Sequence, residues 1–349
     1  MKSYRSLVIM ILLIGLIQCR SENDPGKDSA SLTIGNKSIG NFVPTKSVAY
    51  KALEGFIIEL SSDTIAFTML LPELKIGSYS ITNHDLTENK GIFNIGFRQS
   101  AYSASEGTIS ITDTSNNTIS GTYSVTNSTD GDGGSLKISN GMIVKVQIES
   151  LVYGTVEDYE HNIYKTIEIG TQTWMAQNLR SFIYFNGDSI QEVYRYNKSD
   201  SLMKIYGLYY TWPAATNNSN NEMVQGACPV GWHLPSDSEW HQLLDGLGGE
   251  AVAGDKLMST LSWNIPNGWV DNRSGFSALG AGIHNPVSEY PDMAERLGLQ
   301  TYFWSSSFNE TAGNLSTAWS VGLYSGSPNV LRSPFYRTDL GFSVRCLKD

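Results

Sequence analysis

Five histidines, three cysteines and 34 acidic residues are the side chains with which this 349-residue sequence could do chemistry. His84, His161, His233, His241 and His284 include no pair at metal-ligand spacing, and no His-Glu-x-x-His occurs. A Gly-x-Ser-x-Gly elbow and a phosphate-binding loop are also absent. Asp130-Gly131-Asp132-Gly133-Gly134 offers oxygen ligands of the kind calcium takes. Position 141, where a calcium loop would place its late bidentate acid, is Gly141, so the segment reads as a turn. Asp237 and Glu239 read as helix N-terminal acids rather than a glycosidase pair. Asp255, Asp271, Asp292 and Glu295 are scattered. The expectation is a chain with no catalytic residues, no metal and no cofactor. A net charge of −10 argues against nucleic acid, which needs clustered Lys and Arg.

Aromatic side chains are the remaining source of recognition chemistry. All eight Trp lie between Trp174 and Trp319. Trp174, Trp212, Trp232, Trp240, Trp304 and Trp319 read as core. Trp263 and Trp269 differ, because they sit in a turn-rich loop, Leu261 to Trp269, that leads to Asp271 and Asn272. An exposed Trp beside amides and acids can stack on the apolar face of a sugar while its neighbours bond hydroxyls. The candidate ligand-binding set is Trp263, Asn264, Trp269 and Asp271, with Tyr290, Tyr302, Tyr324, Tyr336 and Arg337 on the same face.

The elements that must position these residues fall into two compositional halves. Residues 31–150 lack Trp and are rich in Ser, Thr, Gly and Asn. Alternating runs at 55–60, 64–71, 77–82, 91–97, 107–112, 118–126 and 135–148, separated by turn clusters, predict an all-β sandwich or barrel. Gly77-Ser78-Tyr79-Ser80-Ile81-Thr82 and Gly121-Thr122-Tyr123-Ser124-Val125-Thr126 form a faint repeat. In the second half, Ser236 and Glu239 make a capping box, and Trp240, Leu243, Leu244 and Leu247 make one apolar helix face. Gly248 and Gly249 can end that helix, and a second short helix is expected near 250–259.

The N-terminus resembles a lipoprotein signal. Lys2 and Arg5 precede an apolar run from Leu7 to Ile17, which ends in Leu16-Ile17-Gln18-Cys19, similar to a lipobox. The expectation is a signal peptide over 1–18, lipidation at Cys19 and a flexible tether over 19–30. The only membrane contact would then be a lipid anchor, in the outer membrane and facing the cell surface.

Residues 153–349 carry a second resemblance. Gly154-Thr155-Val156, Tyr164-Lys165-Thr166-Ile167, Gln172-Thr173-Trp174-Met175-Ala176, Tyr206-Gly207, Cys228-Pro229, Gly231-Trp232-His233, Trp304-Ser305-Ser306-Ser307 and Gly341-Phe342-Ser343-Val344-Arg345-Cys346 follow in order. The segment resembles the Fibrobacter succinogenes major paralogous domain. That resemblance implies an α+β, C-type-lectin-like domain with short strands, one or two helices and long loops. It also implies a Cys228–Cys346 disulfide, and it puts the 261–269 loop roughly where lectin-like folds carry their ligand-facing loop. The calcium-dependent sugar tripeptides of lectins are absent. The expected partner is an extracellular glycan or protein; the alternative is a structural part of a surface assembly.

Overall fold

The computed structural model describes residues 29–34, 37–83, 86, 89–97, 100–130, 134–264, 270–287, 296–312 and 315–349. Cys19, the signal segment, Trp269 and Tyr290 lie outside them. No helix among the described residues is long and apolar enough to cross a membrane.

The first half is one sheet of ten strands: β1 (Ser29–Ile34), β2 (Lys37–Phe42), β3 (Lys46–Lys51), β4 (Phe56–Ser61), β5 (Ile65–Leu71), β6 (Gly77–Ile81), β7 (Lys90–Phe97), β8 (Ser100–Asp113), β9 (Thr118–Thr129) and β10 (Leu136–Glu149). Their order is β2-β1-β10-β3-β4-β5-β7-β6-β8-β9, and β9 pairs back onto β10. The sheet therefore closes on itself as a barrel, which leaves β2 as its outer edge. β1 begins at Ser29, inside the stretch expected to be tether. Inward-facing Phe42, Phe67, Phe93 and Tyr123 fill the barrel, with ring centroids 4.5 to 5.8 Å apart. The faint repeat has a structural meaning. Gly77 and Gly121 both face Ile111, and Tyr79 and Tyr123 both face Ile109, so the two segments flank β8 in the same register. At Asp130 the carboxylate accepts the Gly134 amide at 2.8 Å, a turn contact.

The second half begins with β11 (Tyr153–Glu157), β12 (Ile163–Ile169) and β13 (Gln172–Met175). Next come β14 (Val193–Tyr194), α1 (Asp200–Tyr206), β15 (Tyr209–Tyr210), α2 (Trp212–Thr216), β16 (Trp232–His233), α3 (Asp237–Gly246) and α4 (Ala253–Leu257). The chain ends through β17 (Gln300–Ala312), β18 (Leu315–Tyr324), β19 (Val330–Arg337) and β20 (Leu347–Lys348). One sheet runs β11-β12-β13-β20-β16, so the two ends of this half meet side by side; another runs β17-β18-β19. Helix α3 carries the expected capping box and buries Trp240, Leu243 and Leu244. The second helix is shorter than expected, because Val252 gives it no side-chain cap and Gly254 weakens it. β17 and β18, of 13 and 10 residues, correct the expectation of short strands only. Ser305-Ser306-Ser307 hides their alternation, and the pairing slips between Trp304 and Phe308.

Arg345 organises this core. Its guanidinium is fully buried and donates to Asn178 Oδ1 at 2.6 Å and to the carbonyls of Met175, Phe276 and Ser277 at 3.0, 2.6 and 3.0 Å. It lies over the Phe276 ring at 4.6 Å. Burial pushes its pKa down to about 9. Cys228 and Cys346 are bonded, with their Cα atoms 5.8 Å apart.

The halves pack against each other. Outward-facing Val48, Tyr50, Ile57, Leu70 and Ile92 of the barrel form a second apolar cluster, covered by Leu151 and Leu261. Around it, Glu54 accepts from the Thr260 amide (3.0 Å), the Thr260 hydroxyl (3.1 Å) and the Asn272 amide group (2.9 Å). The Tyr50 hydroxyl donates to the Asp271 carbonyl, and Arg273 pairs with Glu59.

Candidate functional site

The residues singled out from sequence fall into separately bonded groups. Half-buried Trp263 donates its indole N–H to the Ala278 carbonyl at 3.2 Å. The Asn264 side chain donates to the Leu297 carbonyl at 3.1 Å and its main-chain N–H to the Gly298 carbonyl at 2.7 Å, so this residue holds two loops together. Asp271 is only 8 % exposed and lies in the seam against the barrel. Tyr302, Tyr324 and Tyr336 bring their three hydroxyls together over the β17-β18-β19 sheet, and burial raises the pKa of Tyr302 and Tyr336. Arg337 pairs with Asp339 two residues away.

Another place gathers exposed apolar surface. Tyr159, Phe185 and Val230 are 54 %, 42 % and 76 % exposed, and all three line one cleft of about 140 Å³. Its other walls are Glu157, Asp158, Ile183, Ala227, Cys228 and Pro229. Large exposed apolar side chains are unremarkable singly; their convergence on one concavity makes this cleft the candidate site.

Local sequence explains how each wall is held. After β11, the Asp158 carboxylate accepts four hydrogen bonds: from the Glu160 and Asn162 amides (2.9 Å each), the Asn162 side chain (2.9 Å) and the Tyr164 hydroxyl (2.6 Å). This turn, with His161 at φ 62°, points Tyr159 outward. Phe185 sits at the tip of a hairpin-like loop. There the Tyr184 amide donates to the Asp188 carbonyl (2.8 Å), the Ile190 amide to Phe182 (2.8 Å), and Gly187 takes φ 91°. Alternation sends Tyr184 inward, where its hydroxyl bonds the Ala214 carbonyl at 2.9 Å, and leaves Ile183 and Phe185 on the cleft side. Burial, then the Glu192 charge, push the Tyr184 phenol up to about 12. Glu160 ties turn to tip, accepting from the Phe182 amide at 2.6 Å and the Ser181 hydroxyl at 3.0 Å. The disulfide anchors the floor at Cys228.

The far side of the same tip walls a second cleft of about 370 Å³, lined by Asp188, Ser189, Gln191, Glu192, Asn217 and Asn218 among others. Glu192, Asn217 and Asn218 all have positive φ, at 56°, 52° and 59°. Neither lining contains Lys, Arg or His. Among the described residues no group of three or more His, Cys, Asp or Glu could hold a metal. The sequence signal for this site was Phe185 placed directly before Asn186-Gly187, since an aromatic at a turn tip has little core to enter.

Among known families, the Fibrobacter succinogenes major domain matches residues 167–348, and a domain of unknown function (DUF6252) matches residues 35–147. No curated protein and no solved structure matches the chain.

Proposed function

Since the chain belongs to the Fibrobacter succinogenes major domain family, we propose that it is a non-enzymatic binding protein that captures an extracellular glycan or protein at the Tyr159–Phe185 cleft. The observation that carries this reading is the convergence of Tyr159, Phe185 and Val230 on one concavity beside two carboxylates. In this reading Cys19 carries a lipid that anchors the chain in the outer membrane, and the second half has a lectin-like fold. The pairing of β13 with β20, which joins the two ends of that half, supports the fold.

The test is a binding screen of the chain lacking residues 1–18, with Cys19→Ser, against arrayed glycans and immobilised extracellular proteins. The same screen is run on Tyr159→Ala/Phe185→Ala and on Trp263→Ala. Loss of binding in the first variant, with the melting temperature unchanged, is the expected result. Loss only in Trp263→Ala would move the site to the 261–269 loop.

A second reading rests on β2, which pairs only with β1 among the described strands and so presents an open edge. An assembly role would appear as concentration-dependent oligomers that a proline at Ser38 abolishes.

A further inference from the structure

We propose that the Tyr159–Phe185 cleft takes a single cationic group on an apolar stem, the lysine or arginine side chain of a basic peptide segment. The inference rests on the reading of this cleft as a binding site and names what it recognises.

Size is the first argument. A volume of about 140 Å³ suits one side chain, whereas sites for larger organic ligands span roughly 300–1,000 Å³. Charge is the second. Glu157 and Asp158 line the cleft, Asp188 and Glu192 line the one behind it, and no basic residue lines either. Glu157 also meets the exposed His161 ring, and an anionic ligand such as a sulfated or uronic glycan would meet repulsion from the two carboxylates that line the cleft.

The third argument separates a cation from a neutral sugar. A sugar hydroxyl needs open acceptors and donors. Asp158 already accepts four hydrogen bonds, three from its own turn and one from Tyr164 of β12, so it offers a fixed negative charge more than a hydroxyl partner. Tyr159 and Phe185 add electron-rich ring faces, which attract ammonium and guanidinium groups. Ile183, Pro229 and Val230 give apolar contact to the methylenes of a long side chain. An amino sugar, whose ammonium sits directly on its ring, has no stem to lay along them. The chain uses this chemistry on itself next door. Arg180 lies 4.4 Å over the ring of Tyr164, whose hydroxyl bonds the same Asp158.

Calorimetric titration of the soluble chain tests the idea. The probes are an eight-residue peptide of alternating Lys or Arg with Gly and Ser, the same peptide with N-acetyl-lysine and citrulline, a chitosan hexamer and cellohexaose. The basic peptide should bind, more weakly as salt rises, and its affinity should fall about tenfold or more in Tyr159→Ala and in Glu157→Gln. The neutralised peptide should not bind. Binding of the neutralised peptide or of cellohexaose that Tyr159→Ala abolishes would overturn the cation reading and leave the cleft as a binding site. Binding of chitosan without the peptide would overturn the peptide assignment. Basic-peptide binding unaffected by Tyr159→Ala and Phe185→Ala would overturn the proposal as general attraction to an acidic surface. No binding of any probe, with the variants still folded, would also overturn it; the screen above then decides independently whether the cleft binds anything.

Discussion

His233 stands between two carboxylates, with Nδ1 2.7 Å from Asp349 and Nε2 3.0 Å from Glu239. Burial opposes its charge, but the two facing acids outweigh burial and hold its pKa above the ordinary 6.5. Burial likewise opposes ionisation of Glu239, and His233 with the Ser236 cap outweighs it, so that pKa falls below 4.5. The signs follow from linkage. The His233 contribution is complete below about pH 6.5 and is lost as pH rises through its raised folded value. The Glu239 contribution is complete above about pH 4.5 and is lost as pH falls through its lowered one. Stability from this pair therefore peaks between these limits. In urea melts, His233→Gln should flatten the decline of wild type above about pH 6.5; parallel profiles would remove His233 from the account. At this scale the sequence was partly legible. The Ser236/Glu239 capping box was readable from spacing. Tyr159 was not, because residue type does not encode exposure, and Trp263 read as open although its indole finds a carbonyl at 3.2 Å.

Among elements, β8 is the axis of the barrel's repeat, and Gly107 is where its neighbours crowd it. A Cβ there would lie 2.2 Å from the Ser124 carbonyl and 2.8 Å from Ile81, on a backbone at φ 152°. Gly107→Ala should therefore cost roughly 1–3 kcal/mol, by overpacking and strain combined. Denaturant midpoints of the intact chain give the value, and a loss under 0.5 kcal/mol would mean the strands part freely at that point. Seven of the ten barrel strands were legible as alternating runs. β1, β2 and β3 were not: Ser29–Ile34 alternates but begins in the stretch read as tether, and Lys37–Phe42 and Lys46–Lys51 do not alternate cleanly. In the second half, three consecutive serines concealed the long β17 for the reason already given: alternation is the signal, and Ser carries none.

At the scale of the whole molecule, the seam packs the two halves against each other. The sequence held a clue. Phe56–Ser61 and Ile65–Leu71 place Ile57 and Leu70 on the face opposite the barrel interior, so something had to cover those apolar side chains. Inside the seam, burial and the proximity of Glu59 raise the Asp271 pKa, and burial raises that of Glu59. Raised acids stabilise the fold fully only at low pH, and that contribution is lost as pH rises through their folded values. Asp271→Asn should remove the Asp271 share of this dependence. Calorimetry should show the wild-type melting temperature dropping relative to the variant between pH 4 and 7; a constant difference would mean that Asp271 is not held above its ordinary pKa in the fold. Arg273 stands beside both, paired with Glu59 and with its Nε 3.6 Å from Asp271.

The bond between Cys228 and Cys346 spans 118 positions and ties the last strand to the floor of the cleft. A protease that cuts anywhere between those cysteines opens the backbone without parting it. The two pieces stay covalently one molecule, and on a non-reducing gel the nicked protein migrates with the uncut chain. A cut in the loops between positions 228 and 346 thus leaves the domain attached to its own remainder until a reductant arrives.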